Sequence, residues 1–294
     1  MRPTLAELER RCQKPDHRLI GSWMARRVAR PSALRITWLI APYGVSAHAV
    51  TLLAWGVGLA AAAQFGIGSP VAWLCGAITL QLWYLLDHVD GQLARWHGVA
   101  SLDGVQLDYL MHHTLNLLVP LGLGYGASHV TNHELWLAAG LLWGVAALLN
   151  GLLHDARYKA FIQRLKRVRG ELVVRGGSGS RPTMQPLMPR SPLRLAAWVV
   201  QKAAEPPVTL NLITCVAATI WLLPATSHFI SCAFIGAMCV ANSATMLARL
   251  WKSQRAGAAE TEFAAWFAPP ADSSLEFRDG WWHVTRQTSR AKSP

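Results

Sequence analysis

Residues 87–113 read DHVDGQLARWHGVASLDGVQLDYLMHH and join two strongly apolar runs. Asp87 and Asp90 are three residues apart at the end of the first run. Asp108 and His112 are four residues apart at the start of the second run. On helices, each of these spacings places the two side chains on one face. The stretch therefore predicts two helices that bring three carboxylates and a histidine to the same depth.

Carboxylates at the mouth of a membrane-spanning helix are costly unless they pair, bind a cation or meet water. A set of oxygen ligands with a nearby imidazole suits a divalent cation. Gly91 and Gly104 leave the backbone open beside the carboxylates, so a bulky group can approach closely. The sequence therefore predicts a divalent-cation site, with these candidate ligands: Asp87, Asp90, Asp108 and His112.

This spacing resembles the signature of the CDP-alcohol phosphotransferases of phospholipid synthesis. Their signature is D-x-x-D-G-x-x-A-R, eight residues, and then G-x-x-x-D-x-x-x-D. The chain differs at the last position, where His112 stands in place of Asp. A weaker similarity lies upstream, although Ala47 and His48 replace a Pro-Asn pair that is common in the family. The matched positions are Asp87, Asp90, Gly91, Ala94, Arg95, Gly104 and Asp108.

The resemblance implies that a phosphoalcohol group passes from a CDP-linked donor to an acceptor hydroxyl, with release of CMP. It also implies two divalent cations, Mg or Mn, which polarise the pyrophosphate of the donor. By matching position, the implied metal ligands are Asp87, Asp90 and Asp108. The implied nucleotide wall consists of Gly91, Ala94, Arg95 and Gly104, with Arg95 near phosphate.

His112 occupies the place of a carboxylate that, in the family, binds metal and is the proposed base for the acceptor hydroxyl. Imidazole can act as a base near neutral pH, and it ligates Mn, Zn or Fe better than Mg. His112 is therefore the candidate catalytic residue and a fourth candidate metal ligand. It also fits a degenerate relative that has lost catalysis and serves as a membrane binding or scaffold protein. A further alternative is that the three aspartates are structural and pair with Arg95.

The composition predicts an integral membrane protein rather than a soluble enzyme. The chain has 294 residues, of which 52% are hydrophobic, and a net charge of +12. Its five cysteines are scattered and form no C-x-x-C pair, so we interpret them as reduced packing residues. The expected partners are the membrane, a CDP-linked alcohol donor and a hydroxyl acceptor, one of the two substrates being a lipid. No nucleic-acid partner is expected.

The predicted fold is an all-α integral membrane protein with six transmembrane helices and an N-terminal interfacial amphipathic helix. Thr4 and Glu7 form a capping box, which predicts a short helix near Leu5. Arginines alternate with apolar residues over 18–40, a pattern that suits the membrane surface or an ordinary cytosolic amphipathic helix. Each of six apolar runs approaches or exceeds the length needed to span a bilayer: 46–66, 71–94, 104–128, 134–154, 208–224 and 227–250.

Three domains are predicted: a cytoplasmic and interfacial segment (1–45), the six-span domain (46–250) and a cytoplasmic tail (251–294). The six-span domain includes a basic helix at 156–174 and a mobile cytoplasmic loop at about 175–192, which is rich in Gly, Ser and Pro. In the tail, Asp-Gly lies between two apolar-rich arms, which predicts a hairpin over 275–284. The small-residue faces at Gly122 and Gly126, and at Gly140 and Gly144, fit tight helix packing within one subunit or in a homodimer.

Two other function classes fit the sequence less well. An intramembrane prenyltransferase needs aspartate-rich motifs on two helix pairs, but the second half of the chain has no intramembrane carboxylate. A transporter site is expected near the membrane midplane, whereas this charged cluster lies at one face.

The distribution of basic residues predicts the orientation in the membrane. All 28 Lys and Arg fall on one side of the six predicted spans, because the connections at 66–70, 129–133 and 224–227 contain none. The positive-inside rule assigns that side, with both termini and the predicted site, to the cytoplasm. In a cysteine-depleted background, an impermeant thiol reagent outside intact cells should label Ser69→Cys or Thr131→Cys and should miss Ser180→Cys. Labelling of Ser180→Cys alone would reverse the predicted orientation.

Overall fold

The computed structural model describes residues 4–13, 18–19, 21–99, 101–175 and 188–286, and they are mostly helical. Contacts divide the chain into two compact units. The first contains Met1–Leu149 and Met184–Met246, and the second contains Asn150–Thr183 and Leu247–Pro294. The predicted division at residues 45 and 250 stays a prediction. Most of the predicted mobile loop, residues 176–187, lies outside the described residues, as does Ser180.

The helices follow the predicted apolar runs closely, and a π-helical turn (Ala25–Ala29) leads directly into α2. They are α1 (Leu5–Cys12), α2 (Arg30–Ile40), α3 (Ala47–Gly66), α4 (Pro70–His97), α5 (Leu102–Thr131), α6 (Leu135–Leu165), α7 (Pro192–Ala203), α8 (Pro206–Leu222), α9 (Ser227–Arg255) and α10 (Ala258–Trp266). Thr4 Oγ1 accepts a hydrogen bond from the Glu7 amide at 3.2 Å, which confirms the predicted start of α1.

The chain is a multi-pass membrane protein by the length and composition of its helices. Among the described residues, three helices are long and apolar enough to span a membrane: Ala47–Gly66, Leu135–Leu165 and Pro224–Arg255. A fourth candidate is the pair α7 and α8, which is bent by 82°. Helices α4 and α5 are longer than α3 but are not among these candidates, and they contain the charged residues of the quoted stretch. By length and apolar composition, the described residues therefore contain three to four candidate spans, whereas the sequence predicted six.

One apolar core joins six helices of the first unit. Phe65 of α3, Trp73 of α4 and Leu123 of α5 are among its most buried members. Trp143 of α6 also belongs to it, and α8 and α9 add residues such as Ile213 and Ile235. A second cluster lies beside the end of α4 and contains Leu8, Cys12, Ala33, Ala41, Val50, Val89 and Leu93.

The predicted small-residue faces bring helix backbones into direct contact within the chain. A methyl group added at Gly122 would lie 2.2 Å from the carbonyl oxygen of Ala62, so only glycine allows α5 to approach α3 this closely. Likewise, a methyl group added at Gly144 of α6 would lie 2.6 Å from the Leu117 carbonyl oxygen of α5. These faces are therefore used for packing within one subunit, and the homodimer stays a prediction.

The second unit contains short strands, so the fold is mostly helical rather than all-α. The strands are β1 (Val168–Arg169), β2 (Val173–Val174), β3 (Phe267–Ala268), β4 (Ser273–Arg278) and β5 (Trp281–Arg286). The prediction of a basic helix over 156–174 is wrong beyond Leu165, where α6 ends. Gly170, five residues after the end of α6, has φ +109°, which excludes a continuing helix there, and the β-branched valines around it pair with β5 and β3.

The predicted hairpin over 275–284 is confirmed by the antiparallel pairing of β4 and β5. Asp279 and Gly280 both have positive φ, as a two-residue hairpin turn requires. Elsewhere in this unit, the guanidinium of Arg164 lies over the ring of Trp282, 4.3 Å from its centre, and also binds Glu260. The hydrogen bond with Arg164 lowers the pKa of the Glu260 carboxyl.

Gly126→Ala should destabilise the first unit, because the added methyl group would lie 2.2 Å from the Phe65 carbonyl oxygen and would force α3 and α5 apart. We expect a loss of about 1–3 kcal/mol in the free energy of unfolding, the usual range for overpacking. Denaturant unfolding in detergent micelles, followed by tryptophan fluorescence, would measure it. Gly56→Ala is the matched control: a methyl group there meets no described atom within 4 Å, so its stability should not fall.

Candidate active site

A cavity of about 460 Å³ lies within the first unit. Residues from α2, α3, α4 and α5 form its walls. All predicted site residues line it: Asp87, Asp90, Gly91, Ala94, Arg95, Gly104, Asp108 and His112. The structure therefore brings the whole sequence-predicted set together in one place.

A tight connection between α4 and α5 turns the two halves of the signature toward each other. Gly98 ends α4 in the left-handed conformation, with φ +66°, which glycine adopts without strain. Ser101 begins α5, and its Oγ accepts a hydrogen bond from the Gly104 amide at 3.0 Å. The connection is only a few residues long, so the last turns of α4 and the first turns of α5 border the same cavity.

Asp87, Asp108 and His112 converge at one point of the cavity. His112 Nε2 lies 3.0 Å from Asp87 Oδ1 and 3.4 Å from Asp108 Oδ1. One ligand atom from each residue lies within 4.8 Å of the others, a group that could hold a metal ion. The ring of Trp83 meets the imidazole of His112 edge to face, with the ring centres 5.5 Å apart. His112 therefore projects toward Asp108, as the four-residue spacing predicts.

Asp90 is oriented differently from the other two aspartates. Its side chain is buried, with 7% of the residue exposed, and its Oδ2 accepts a hydrogen bond from Thr51 Oγ1 at 2.7 Å. The compact group of Asp87, Asp108 and His112 does not include it. Asp90 still lines the cavity, and its role as a metal ligand stays a prediction.

Arg95 connects the cavity to the N-terminal helix. Its Nε donates a hydrogen bond to the carbonyl oxygen of Cys12, the last residue of α1. Its terminal nitrogens lie against Gly91, where an added methyl group would come within 3.3 Å of Nη1. Burial raises the pKa of the Cys12 thiol, which favours its uncharged form beside this guanidinium.

Residues 39–166 match the family model described as CDP-alcohol phosphatidyltransferase. This segment belongs to the CDP-alcohol phosphatidyltransferase family. The family resemblance predicted from the signature is thereby confirmed, and the matched segment contains all eight predicted site residues. Helix α1 and all but the last two residues of α2 lie before it, and α7 to α10 lie after it. Among curated proteins, none matches the chain.

Two solved structures similar to this chain are both of phosphatidylinositol phosphate synthase (PgsA1) from Mycobacterium tuberculosis. The structure with CDP-DAG bound shares 20% identity, covers 73% of this chain and 94% of its own, and has a TM-score of 0.40. The structure in complex with manganese and citrate shares 19% identity, covers 72% of this chain and 88% of its own, and has a TM-score of 0.39.

The cavity is also lined by residues that were not predicted as site residues, among them Thr51, His48 and Arg30. Thr51 and His48 come from α3, and Arg30 comes from α2. A threonine in an apolar helix usually bonds its own backbone, as Thr51 also does to Ala47, so the sequence gives no signal of its bond to Asp90. The sequence did mark His48 as unusual, because Ala47 and His48 stand where the family commonly has Pro-Asn. A methyl group at Gly104 would lie 3.5 Å from His48 Nε2.

Thr51→Val should destabilise the protein, because it removes the hydrogen bond to a carboxylate that stays buried. We expect a loss of about 1–3 kcal/mol in the free energy of unfolding, the usual cost of an unsatisfied buried group. Thr114→Val is the matched control, since the Thr114 hydroxyl donates to the Leu110 carbonyl of its own helix. Equal stability of the two variants in detergent unfolding experiments would contradict a structural role for the bond between Thr51 and Asp90.

Proposed function

We propose that this chain transfers a phosphoalcohol group from a CDP-linked donor to an acceptor hydroxyl and releases CMP, in the synthesis of a phospholipid or lipid precursor. One observation carries the proposal: the seven matched signature residues and His112 line a single cavity. All eight residues lie in the segment that matches the CDP-alcohol phosphatidyltransferase family model, and members of that family use such a donor. One of the two substrates would be a lipid, taken from the membrane that the chain spans.

The ligand chemistry of the site fits a divalent cation. Asp87 and Asp108 offer carboxylate oxygens, His112 offers an imidazole nitrogen, and these atoms lie within 4.8 Å of one another. Asp90 would complete the ligand set from the same cavity. When bound, two such ions, Mg or Mn, would polarise the pyrophosphate and neutralise the charge of the departing CMP.

The protein side chains would carry out the remaining steps. Arg95 would bind phosphate oxygens through the terminal nitrogens that border the cavity, since a guanidinium can donate two parallel hydrogen bonds. Gly91, Ala94 and Gly104 would leave room for the nucleotide beside them. The acceptor oxygen would attack the donor phosphorus, its proton would pass to His112 Nε2, and the bond between phosphorus and the CMP oxygen would break. Nε2 can take that proton only while its lone pair is free, so this nitrogen would not ligate a metal ion during that step.

The six-span topology is part of this proposal. Helices α3, α4, α5, α6, α8 and α9 all contribute to one apolar core, which supports their crossing the membrane together. The positive-inside rule then places both termini and the cavity on the cytoplasmic side. Helix α2 would lie at the membrane surface, as its alternation of arginines and apolar residues predicts.

A second candidate function is ligand binding without catalysis, and the position of His112 favours it. Nε2 lies within 3.4 Å of an oxygen of both Asp87 and Asp108. A protonated imidazole there would neutralise part of the negative charge that attracts metal ions. A membrane binding or scaffold protein that retains the CDP pocket would have this arrangement.

The substitution His112→Asp separates the two candidates, because it completes the four-carboxylate signature. If the chain is an enzyme with His112 as base, the wild type should release CMP from a CDP-alcohol with Mn, and His112→Ala should reduce turnover about 10²–10⁴-fold. His112→Asp should keep part of the activity and shift the preference toward Mg. The measurement is CMP release from CDP-diacylglycerol, CDP-choline, CDP-ethanolamine and CDP-inositol, each with a panel of acceptor alcohols.

Two controls make this experiment decisive. Asp87→Asn should abolish metal-dependent activity while leaving the fold intact, whereas His113→Ala, next to the site on the same helix, should behave as wild type. Activity only in His112→Asp would support the degenerate relative. Wild-type activity in His112→Ala would contradict the catalytic role of this residue.

A further inference from the structure

Helix α1 precedes the family-matched segment but packs against the end of α4. Leu8 and Cys12, both 0% exposed, lie in one cluster with Val89 and Leu93 of α4. The guanidinium of Arg11 also lies 5.5 Å from the centre of the Trp96 ring. The N-terminal helix is therefore an integral part of the first unit beside the cavity, and Gln13, which follows it, lines the cavity.

The end of α1 supplies a hydrogen-bond acceptor that the signature itself lacks. The last carbonyl groups of a helix have no partner within the helix and carry a partial negative charge. Cys12 provides one of them, and Arg95 Nε donates to it across 83 residues of sequence. Since 0% of Cys12 is exposed, water does not compete freely for this acceptor.

This contact determines how Arg95 faces the cavity. A guanidinium is a rigid planar fork, so fixing Nε restricts the positions of both terminal nitrogens. Nη1 and Nη2 lie 3.3 and 3.6 Å from the point where a methyl group on Gly91 would stand, and both Gly91 and Arg95 line the cavity. Without the Cys12 carbonyl, the long side chain would have several other rotamers open to it.

We propose that α1 is a positioning element for the site. Through the Cys12 carbonyl, it holds the Arg95 guanidinium in the orientation that binds the phosphates of a nucleoside diphosphate. The identity of that ligand rests on the proposed function. Leu8 is the positioning residue, because its packing against α4 keeps the end of α1 in place. Release of α1 would weaken nucleotide binding without removing any ligand of the metal group.

The test is calorimetric titration of the full-length protein in detergent with CDP in the presence of Mn²⁺. Leu8→Ala should weaken CDP binding about ten-fold or more, the usual effect of losing a hydrogen bond to a charged group. Its affinity for Mn²⁺ alone should not change. Leu5→Ala is the matched control, because Leu5 lies on the same helix but is 45% exposed, and it should bind CDP as wild type does.

A double variant distinguishes positioning from a general loss of stability. Arg95→Ala should weaken CDP binding, and Leu8→Ala should add no further loss in that background if α1 acts through Arg95. Additive losses would overturn the proposal. Cys12→Leu, which overfills the same cluster and displaces the carbonyl, should reproduce the defect of Leu8→Ala if the latter folds poorly.

The outcomes also separate this proposal from the proposed function. If wild type fails to bind CDP with Mn²⁺, the nucleotide function is wrong and the role of α1 is overturned with it. If wild type binds CDP and both Leu8→Ala and Cys12→Leu bind it equally well, only the role of α1 is overturned.

Discussion

A carboxylate inside an apolar helix bundle must have a partner, and the arrangement of this site follows from that constraint. Asp90 is nearly inaccessible and is hydrogen-bonded by Thr51 of α3. Asp87 and Asp108 share the imidazole of His112. Thr51 stands on α3 and His112 on α5, so both helices must lie beside α4 at the depth of its aspartates. The cavity is thus a consequence of how α3, α4 and α5 are held together.

Glycine provides that close association. Gly122 and Gly126 of α5 lie against backbone carbonyls of α3, and Gly104 lies beside His48 at the first turn of α3. The same two helices therefore approach closely along their length, from the apolar core to the cavity. In a lipid environment, where apolar side chains gain little by leaving the solvent, such contacts are a main source of helix association. The packing of the bundle and the geometry of the site rest on the same small residues.

The sequence predicted the elements that local pattern determines. The long helices, the cap at Thr4, the hairpin turn at Asp279 and the position of His112 relative to Asp108 follow from spacing and residue type. The residues that approach the site from a distance were not predictable in this way. Thr51 looks like an ordinary threonine in an apolar helix, and the carbonyl of Cys12 has no signature, because any residue carries one. The end of α6 was missed because the valines after Leu165 pair with strands about 100 residues later.

The contact between Cys12 and Arg95 has a consequence for biosynthesis. Cys12 of α1 leaves the ribosome well before Arg95 of α4, which follows it by 83 residues. At about 5–20 residues per second, translation of that interval takes roughly 4–17 seconds. During this time Leu8 and Cys12 have no apolar surface of α4 to cover them. Helix α1 can therefore pack against α4 only after α4 has been synthesised, and the hydrogen bond that holds Arg95 forms no earlier.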